Sequence, residues 1–188
     1  MNEEKELNLA LQTLENQEVL LYPTDTVWGL GCDATNSQVV DRIFRIKNRV
    51  DSKNLIVLVS SLEMLKKYVT HIPENVQDFI AQTSKPTTII YKHPKGIAEN
   101  VISNNDTVAI RIVQNEFCSS LINAFGKPIV STSANISGEP TPNSFGQISE
   151  AILNAVDFAV HLFRSKVNKK ASSIVQIEDD GQITILRE

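Results

Sequence analysis

The chain has 188 residues, 41% of them apolar, which is enough for one compact domain with a hydrophobic core. Its 18 Lys and Arg residues stand against 22 Asp and Glu residues, so the formal charge is −4 and an overall basic surface for nucleic acid is excluded. We therefore expect a single domain over residues 1–188, in which any contact with RNA is local.

The first residues, MNEEKELNLA, lack the basic start and apolar run of a secretory signal, and no stretch approaches the ~20 apolar residues of a membrane span. A cytoplasmic protein without a membrane association is expected. Cys32 and Cys118 are far apart and fit no zinc pattern, so both are expected to be buried thiols, and no metal site is predicted from side chains.

Helical and strand patterns alternate along the chain, which is typical of an α/β fold. Asn36 or Ser37 is predicted to cap one helix, and Asn115 and Gly126 are predicted to bound another. In chain order, helices are expected near 7–14, 39–44, 62–68, 76–81, 116–125 and 148–155, and strands near 19–21, 55–59, 88–91, 108–112, 128–131, 158, 174 and 183. Residues 137–145, rich in Gly, Pro, Ser and Asn, indicate an irregular loop.

Three polar clusters lie at the ends of predicted strands, where ligands usually bind in open α/β sheets. The first is YPTDTVWGLG from Tyr22, in which hydroxyls and the Asp25 carboxylate precede two glycines. A ligand site and a plain turn explain this segment equally well, and Asp25 could equally be a capping carboxylate.

The second cluster is basic and contains Arg42, Arg45, Lys47, Arg49 and Lys53. Cations at this density can clamp phosphates, although a solvated helix face with acidic counterions is the alternative. The third cluster, STSANISG from Ser131, follows an apolar strand and offers several short donors and acceptors to a ligand. A Ser/Thr-rich capping turn is the alternative there.

In this order and spacing, the clusters resemble the YrdC/TsaC threonylcarbamoyl-AMP synthase family over nearly the whole chain. The resemblance rests on YPTDTVWGLG from Tyr22, KNR from Lys47, DTVAIR from Asp106 and PIVSTSANISGEPT from Pro128, with weaker matches in ASSIV and the terminal LRE. It implies a YrdC-like α/β fold: a twisted open mixed sheet with flanking helices around a basic concave cavity. It also implies the short, single-domain form of the family.

The resemblance implies an enzyme that forms threonylcarbamoyl-AMP and pyrophosphate from L-threonine, bicarbonate and ATP with Mg. A tRNA-modifying threonylcarbamoyl transferase complex is the implied partner that passes the group to tRNA. The family's residues carry over to this sequence as follows: Lys47 and Arg49 as catalytic; Lys47, Arg49, Lys53, Thr107, Ser133, Asn135, Thr141 and Arg187 as nucleotide-binding; Thr26, Arg111, Ser131 and Ser172 as L-threonine-binding.

Several positions depart from the commonest family pattern. Val50 replaces a proline, Lys53 stands where many members have asparagine, and Leu58 stands where many have a histidine near the threonine. Ser172-Ser173 replaces a Ser-Thr pair and keeps both hydroxyls.

Two other functions are weighed against the synthase. One is a non-catalytic protein that binds double-stranded RNA or tRNA in a basic cavity, although the acidic composition speaks against many phosphate contacts. The other is the related carbamoyl-adenylate chemistry of hydrogenase maturation, which belongs to much longer chains with zinc-binding cysteines. The length and the two cysteines of this chain argue against it.

Overall fold

The architecture was determined as a computed structural model that describes residues 2–48, 55–167, 171–178 and 181–188. Its helices are α1 (Glu3–Glu15), α2 (Ser37–Ile46), α3 (Leu62–Tyr68), α4 (Glu74–Gln82), α5 (Glu116–Phe125) and α6 (Glu150–Ala155). Its strands are β1 (Leu20–Pro23), β2 (Trp28–Asp33), β3 (Ile56–Val59), β4 (Thr87–Lys92), β5 (Thr107–Ile112), β6 (Ile129–Ser133), β7 (Phe158–Ala159), β8 (Ser173–Ile177) and β9 (Ile183–Arg187).

These strands form one open mixed sheet in the order β7-β1-β2-β6-β3-β5-β4-β8-β9. The β1–β7, β3–β5 and β4–β8 pairs are parallel, and the other neighbours are antiparallel. The mixed sheet with flanking helices confirms the predicted fold class. None of the helices in the described ranges has the length and apolar composition that a bilayer crossing requires.

Side-chain caps set the starts of four helices, α1 through Asn2 and three others in which a polar residue precedes an apolar periodic segment. Asn36, Ser61 and Asn115 accept hydrogen bonds from backbone N–H groups in the first turns of α2, α3 and α5, at 2.9, 3.1 and 2.9 Å. Gly126 ends α5 with a φ of 72°, a left-handed conformation that glycine adopts without strain. The predicted caps of α2 and α5 are thereby confirmed.

β2 was not predicted from the sequence, because its residues were interpreted as part of a polar turn. Gly29, Gly31 and Asp33 have low intrinsic preference for strands, so local pattern gave no sign of one. In the fold, β2 lies between β1 and β6 and is buried at every position. Pairing on both sides and complete burial outweigh local propensity here.

The third polar cluster also begins inside a strand and not after it. β6 runs to Ser133, so Ser131 and Ser133 are strand residues, paired with Gly31 and Gly29 of β2. On the other side of β6, Ser131 pairs with Ile56 of β3. The central strands therefore place a line of hydroxyls within the sheet itself.

The contact between Tyr22 and Gly31 packs the centre of the sheet. The Tyr22 side chain is fully buried. A Cβ at Gly31 would lie 2.5 Å from Tyr22 Cε1 and 3.0 Å from the Val130 carbonyl oxygen, well inside van der Waals contact. The ring occupies the space that any other residue at position 31 would fill.

We predict that Gly31→Ala destabilises the fold by about 2–3 kcal/mol, because the ring and the β6 backbone must both shift to admit the methyl group. Urea denaturation would measure the change in the free energy of unfolding. Gly146→Ala is the matched control, since a Cβ there would meet no atom within 4 Å. Equal stability of the two variants would contradict the packing argument.

Candidate functional site

A small cavity of about 160 Å³ lies on one face of the sheet. It is bounded by the β1–β2 turn, the ends of β5 and β6, the segment before β8 and the end of β9. Seven residues expected at the site line it: Thr26, Arg111, Ser131, Ser133, Thr141, Ser172 and Arg187. The fold thus brings together all four residues assigned to threonine and three of those assigned to the nucleotide. Their individual roles stay predictions.

The charged lining of this cavity is positive. Among the described lining residues, the charged ones are Arg111 and Arg187, and most of the others carry hydroxyls. Burial raises the pKa of the Tyr22 phenol and of the Cys118 thiol nearby, so both stay neutral near pH 7. The nearby Ser131 hydroxyl slightly lowers the pKa of Tyr22 against this effect, although it is too poorly aligned to form a hydrogen bond with the phenol. The cavity therefore suits a small anion that carries several hydrogen-bonding groups.

Arg111 is buried and forms an ion pair with Asp25, whose side chain is 6% exposed. Its Nη2 lies 2.9 Å from Asp25 Oδ1 and 3.4 Å from Thr26 Oγ1. The other carboxylate oxygen of Asp25 accepts a bond from the Gln114 backbone N–H at 3.3 Å. Within the described residues, the buried Nε of Arg111 has no hydrogen-bond partner. An oriented guanidinium with one donor left open can bind a ligand carboxylate.

The β1–β2 turn is organised by Thr24. Its Oγ1 donates to the Val27 carbonyl at 2.7 Å, accepts from the Thr26 backbone N–H at 3.1 Å, and lies 3.0 Å from Thr26 Oγ1. Because its one hydrogen goes to Val27, the bond between the two hydroxyls is donated by Thr26. Thr26 Oγ1 is then fixed as an acceptor that faces Arg111.

Gly29 keeps the floor of the cavity open beside this turn. A Cβ at Gly29 would lie 3.0 Å from Ser131 Oγ and 3.4 Å from Thr24 Cγ2. A side chain at this position would press on the Ser131 hydroxyl. Glycine is therefore required at position 29 for a steric reason, which the sequence of the turn did not indicate.

Ser172 and Arg187 form the wall on the far side of the cavity. The Arg187 Nε and Nη2 groups donate to the Ser172 carbonyl at 3.1 and 2.7 Å. The Ser172 hydroxyl lies 2.8 Å from that of Thr88, which is fully buried in β4. The β9 strand thus holds the segment that carries Ser172.

Lys47 was expected to meet phosphate, and the structure instead buries it at the end of α2. Its ammonium donates to the carbonyls of Ser133 and Asn135, both at 2.6 Å, and its own carbonyl accepts from the Ser137 N–H at 2.9 Å. It does not line the cavity. Lys47 holds the loop after β6 through these bonds, and its assigned contact with phosphate stays a prediction.

Two other expected nucleotide contacts lie away from the cavity. The Asn135 amide donates to the carbonyls of Ile136 and Glu139, at 3.0 and 2.8 Å, and so closes the loop after β6. Thr107 lies at the start of β5, about 13 Å along the strand from Arg111 at ~3.3 Å per residue. Its hydroxyl lies 2.6 Å from that of Ser103. Neither position adds support to a direct nucleotide contact.

Arg49 and Lys53, both expected at the nucleotide, lie outside the described residues, as does Val50. Leu58 is described: it is fully buried in β3, beside Arg111 in the parallel register. An apolar side chain thus stands next to the buried guanidinium at this position.

A larger groove of about 870 Å³ adjoins the cavity. The two share Thr26 and Ala171 as lining residues. Lys85 and Lys166 lie along the groove together with Asp25 and apolar side chains. The small cavity is thus reached from a wider surface channel.

Asp25 and Thr88 are the site residues that sequence reasoning missed or left undecided. Arg111 gave a signal for Asp25, since an arginine within the apolar segment TVAIRI of a central strand needs a buried partner. The sequence did not say which of its many acidic residues that partner was. Thr88 gave no signal, because threonine is common in strands.

Comparison with known proteins agrees with this arrangement. A sequence profile of Sua5, YciO and YrdC proteins, described as telomere recombination, matches residues 12–188. The chain belongs to the Sua5/YciO/YrdC family. The resemblance predicted from the sequence is thereby confirmed.

Curated relatives of this family member include two named threonylcarbamoyl-AMP synthase. The one from Xanthomonas euvesicatoria pv. vesicatoria (strain 85-10) is 36% identical over 163 residues, 85% of this chain and 87% of the relative. The one from Pseudoalteromonas translucida (strain TAC 125) is 33% identical over 163 residues, again 85% and 87%. Both alignments extend over most of each protein.

Among solved structures, P. abyssi Sua5 complexed with L-threonine superposes with a TM-score of 0.86 at 26% sequence identity. The match covers 100% of this chain and 54% of that one. This chain therefore spans about half the length of the Sua5 structure. The shared part contains the whole sheet described above.

We predict that Asp25→Asn destabilises the protein by about 2–4 kcal/mol, because it leaves the buried Arg111 charge without a counterion. Chemical denaturation would measure this loss. Asp78→Asn, which removes an exposed carboxylate in α4, is the control and should stay within about 0.5 kcal/mol of wild type. If Asp25→Asn unfolded at the wild-type urea concentration, the ion pair would not be a structural requirement.

Lys47→Met is predicted to cost about 2–4 kcal/mol, since it leaves the Ser133 and Asn135 carbonyls without their charged donor. Thermal and urea unfolding would both measure this loss of stability. Lys5→Met, at an exposed position of α1, controls for loss of a lysine charge. Unchanged stability of the Lys47 variant would mean that its ammonium is free to reach a ligand.

Proposed function

We propose that this protein is an L-threonylcarbamoyladenylate synthase, an enzyme that makes threonylcarbamoyl-AMP and pyrophosphate from L-threonine, bicarbonate and ATP. The observation that carries the proposal is the hydroxyl-lined cavity around a buried arginine with one unpartnered donor. The names of the curated relatives support the same activity. L-Threonine bound to P. abyssi Sua5 supports the choice of amino acid.

The amino-acid end of the site is assigned to Arg111 and the hydroxyls around it. The guanidinium of Arg111, which lines the cavity, would bind the carboxylate of threonine, because a guanidinium matches a carboxylate in shape and charge. The hydroxyls of Thr26 and Ser131 would bind the ammonium and hydroxyl groups of the substrate, and the Ser172 hydroxyl would donate to one of its oxygens. A cavity of about 160 Å³ suits an amino acid of this size and not a nucleotide.

The nucleotide end is assigned to Arg187, Ser133 and Thr141. These three residues line the cavity and offer one cation and two hydroxyls to the phosphates. Lys47 and Asn135 would act by shaping the loop after β6 that carries Ser133, and Arg49 and Lys53 remain predicted phosphate contacts. The adjoining groove gives the rest of the nucleotide room outside the small cavity.

The reaction would begin with the amine of threonine, which forms a carbamate with carbon dioxide derived from bicarbonate. A carbamate oxygen then attacks the α-phosphorus of ATP, the bond from that phosphorus to the bridging oxygen breaks, and pyrophosphate leaves. The protein's part is to align the two substrates and to place fixed positive charge near the phosphates. A side chain need not form a covalent bond to either substrate.

Magnesium is proposed to arrive with ATP, held by phosphate oxygens and water, as it usually is in phosphate-transfer sites. When bound, it would neutralise charge on the phosphates. Both carboxylate oxygens of Asp25, the acid next to the cavity, are engaged by Arg111 and Gln114. Asp25 is therefore not suited to serve as a protein ligand of magnesium.

The product would pass to a tRNA-modifying threonylcarbamoyl transferase complex, which we propose as the partner in the cytoplasm. The alternative of a non-catalytic protein that binds double-stranded RNA or tRNA is less well supported. The chain has a formal net charge of −4, and its curated relatives are named as synthases. Direct binding to tRNA remains compatible with the enzyme but is not needed for the first step.

The proposal predicts pyrophosphate release from Mg-ATP that requires both L-threonine and bicarbonate. An enzyme-coupled pyrophosphate assay would test it, with each substrate withheld in turn and L-serine as the control amino acid. Serine should react more slowly, because it lacks the methyl group that could pack against the apolar lining residues Val27 and Ile56. Release that ignores threonine would sink the proposal. Salt-sensitive binding of duplex RNA without turnover would favour the RNA-binding alternative.

A further inference from the structure

Thr88 lies behind the cavity and contacts one of its lining residues. Its side chain is fully buried in β4 and its Oγ1 lies 2.8 Å from Ser172 Oγ. Ser172 is 2% exposed and lines the cavity, whereas Thr88 does not. Thr88 would therefore act on a ligand indirectly, and its hydrogen bond to Ser172 is its direct link to the cavity.

The register of the sheet makes this contact a fixed one. Thr88 pairs with Ile174 in the parallel β4–β8 ladder, and Ser172 precedes Ile174 by two residues, so all three side chains lie on one face. The β4–β5 pairs Ile89–Ile110 and Ile90–Ala109 place Thr88 across from Arg111 on that face. Thr88 thus belongs to the same layer as the buried guanidinium.

The hydrogen between the two hydroxyls can be assigned from what surrounds them. Among the described residues, the Thr88 hydroxyl has no hydrogen-bond partner other than Ser172. Ser172 lines the cavity and can donate to a ligand there, whereas Thr88 has no second acceptor among the described residues, so the donated hydrogen is assigned to Thr88. Ser172 then keeps its own hydrogen, which points toward a partner other than Thr88.

We propose that Thr88 is a positioning residue that presents Ser172 to the cavity as a hydrogen-bond donor, toward an anionic or carbonyl oxygen of the amino-acid ligand. The inference rests on the proposed function only in naming that ligand. The two bonds from Arg187 to the Ser172 carbonyl fix the backbone, and Thr88 fixes the side chain. Valine would fit a buried strand position without burying a hydroxyl, so packing alone does not explain threonine here.

The test compares Thr88→Val, which keeps the shape and removes the hydroxyl, with Thr88→Ser, which keeps the hydroxyl. Calorimetry should show L-threonine binding weakened about tenfold in Thr88→Val and within about twofold of wild type in Thr88→Ser, as expected for one hydrogen bond. The KM for L-threonine should rise, with kcat and the KM for ATP unchanged. Thr88→Ala gives the same test if valine is not accommodated.

Thr13→Val is the matched control, since it removes another buried threonine hydroxyl, bonded only to the Leu9 carbonyl in α1. It should leave threonine affinity unchanged. A double-mutant cycle with Ser172→Ala completes the test: once Ser172 has lost its hydroxyl, Thr88→Val should weaken binding no further. Additive losses, or wild-type affinity in Thr88→Val, would overturn the proposal.

Failure of this inference can be told apart from failure of the proposed function. A wild-type protein that binds L-threonine without releasing pyrophosphate would refute the synthase reaction, while the affinities of the variants would still decide the role of Thr88. A wild-type protein that does not bind L-threonine at all would overturn both.

Discussion

The site depends on one buried ion pair, between Arg111 of β5 and Asp25 of the β1–β2 turn. The two residues are 86 positions apart in sequence, so the contact forms only when the sheet has assembled. Removing a guanidinium from water costs several kcal/mol unless a counterion and hydrogen bonds compensate. Asp25 supplies the counterion and Thr26 a further hydrogen bond, yet the buried Nε of Arg111 has no partner among the described residues. The free protein therefore holds a partly satisfied cation that a carboxylate ligand can complete.

Around this charge, the recognition groups are hydroxyls whose directions are set by other hydroxyls. Thr24 receives the hydrogen of Thr26, and Thr88 faces Ser172 from the strand behind it. A free hydroxyl rotates easily, whereas one that already accepts a hydrogen bond has a restricted direction for its own hydrogen. Gly29 has no side chain that would press on the Ser131 hydroxyl, so this hydroxyl keeps its position in the cavity. The hydroxyls of the cavity are thus held in place before a ligand binds, by Thr24, which lines the cavity, and by Thr88, which does not.

The sequence predicted most elements because local signals and tertiary structure agree there. The limits of α3 at Leu62–Tyr68 are as predicted, and α5 begins and ends at its predicted caps. β2 escaped prediction because its glycines serve contacts with Tyr22 and Ser131 that no local pattern reveals. At the site, the motifs identified the lining residues. They did not reveal the Asp25–Arg111 pairing or the burial of Lys47, since both depend on partners distant in sequence.

Lys47 shows that a residue identified by a motif can also have a structural role that the motif does not reveal. Its ammonium donates to two carbonyls of the loop that carries Ser133. The Ser133 carbonyl also accepts from the Asn135 backbone N–H at 2.9 Å, so the loop is fixed by its own backbone and by the lysine together. A fixed positive charge acts through the protein interior, where screening is weak. Lys47 therefore stabilises the loop that carries Ser133 and places a positive charge beside it.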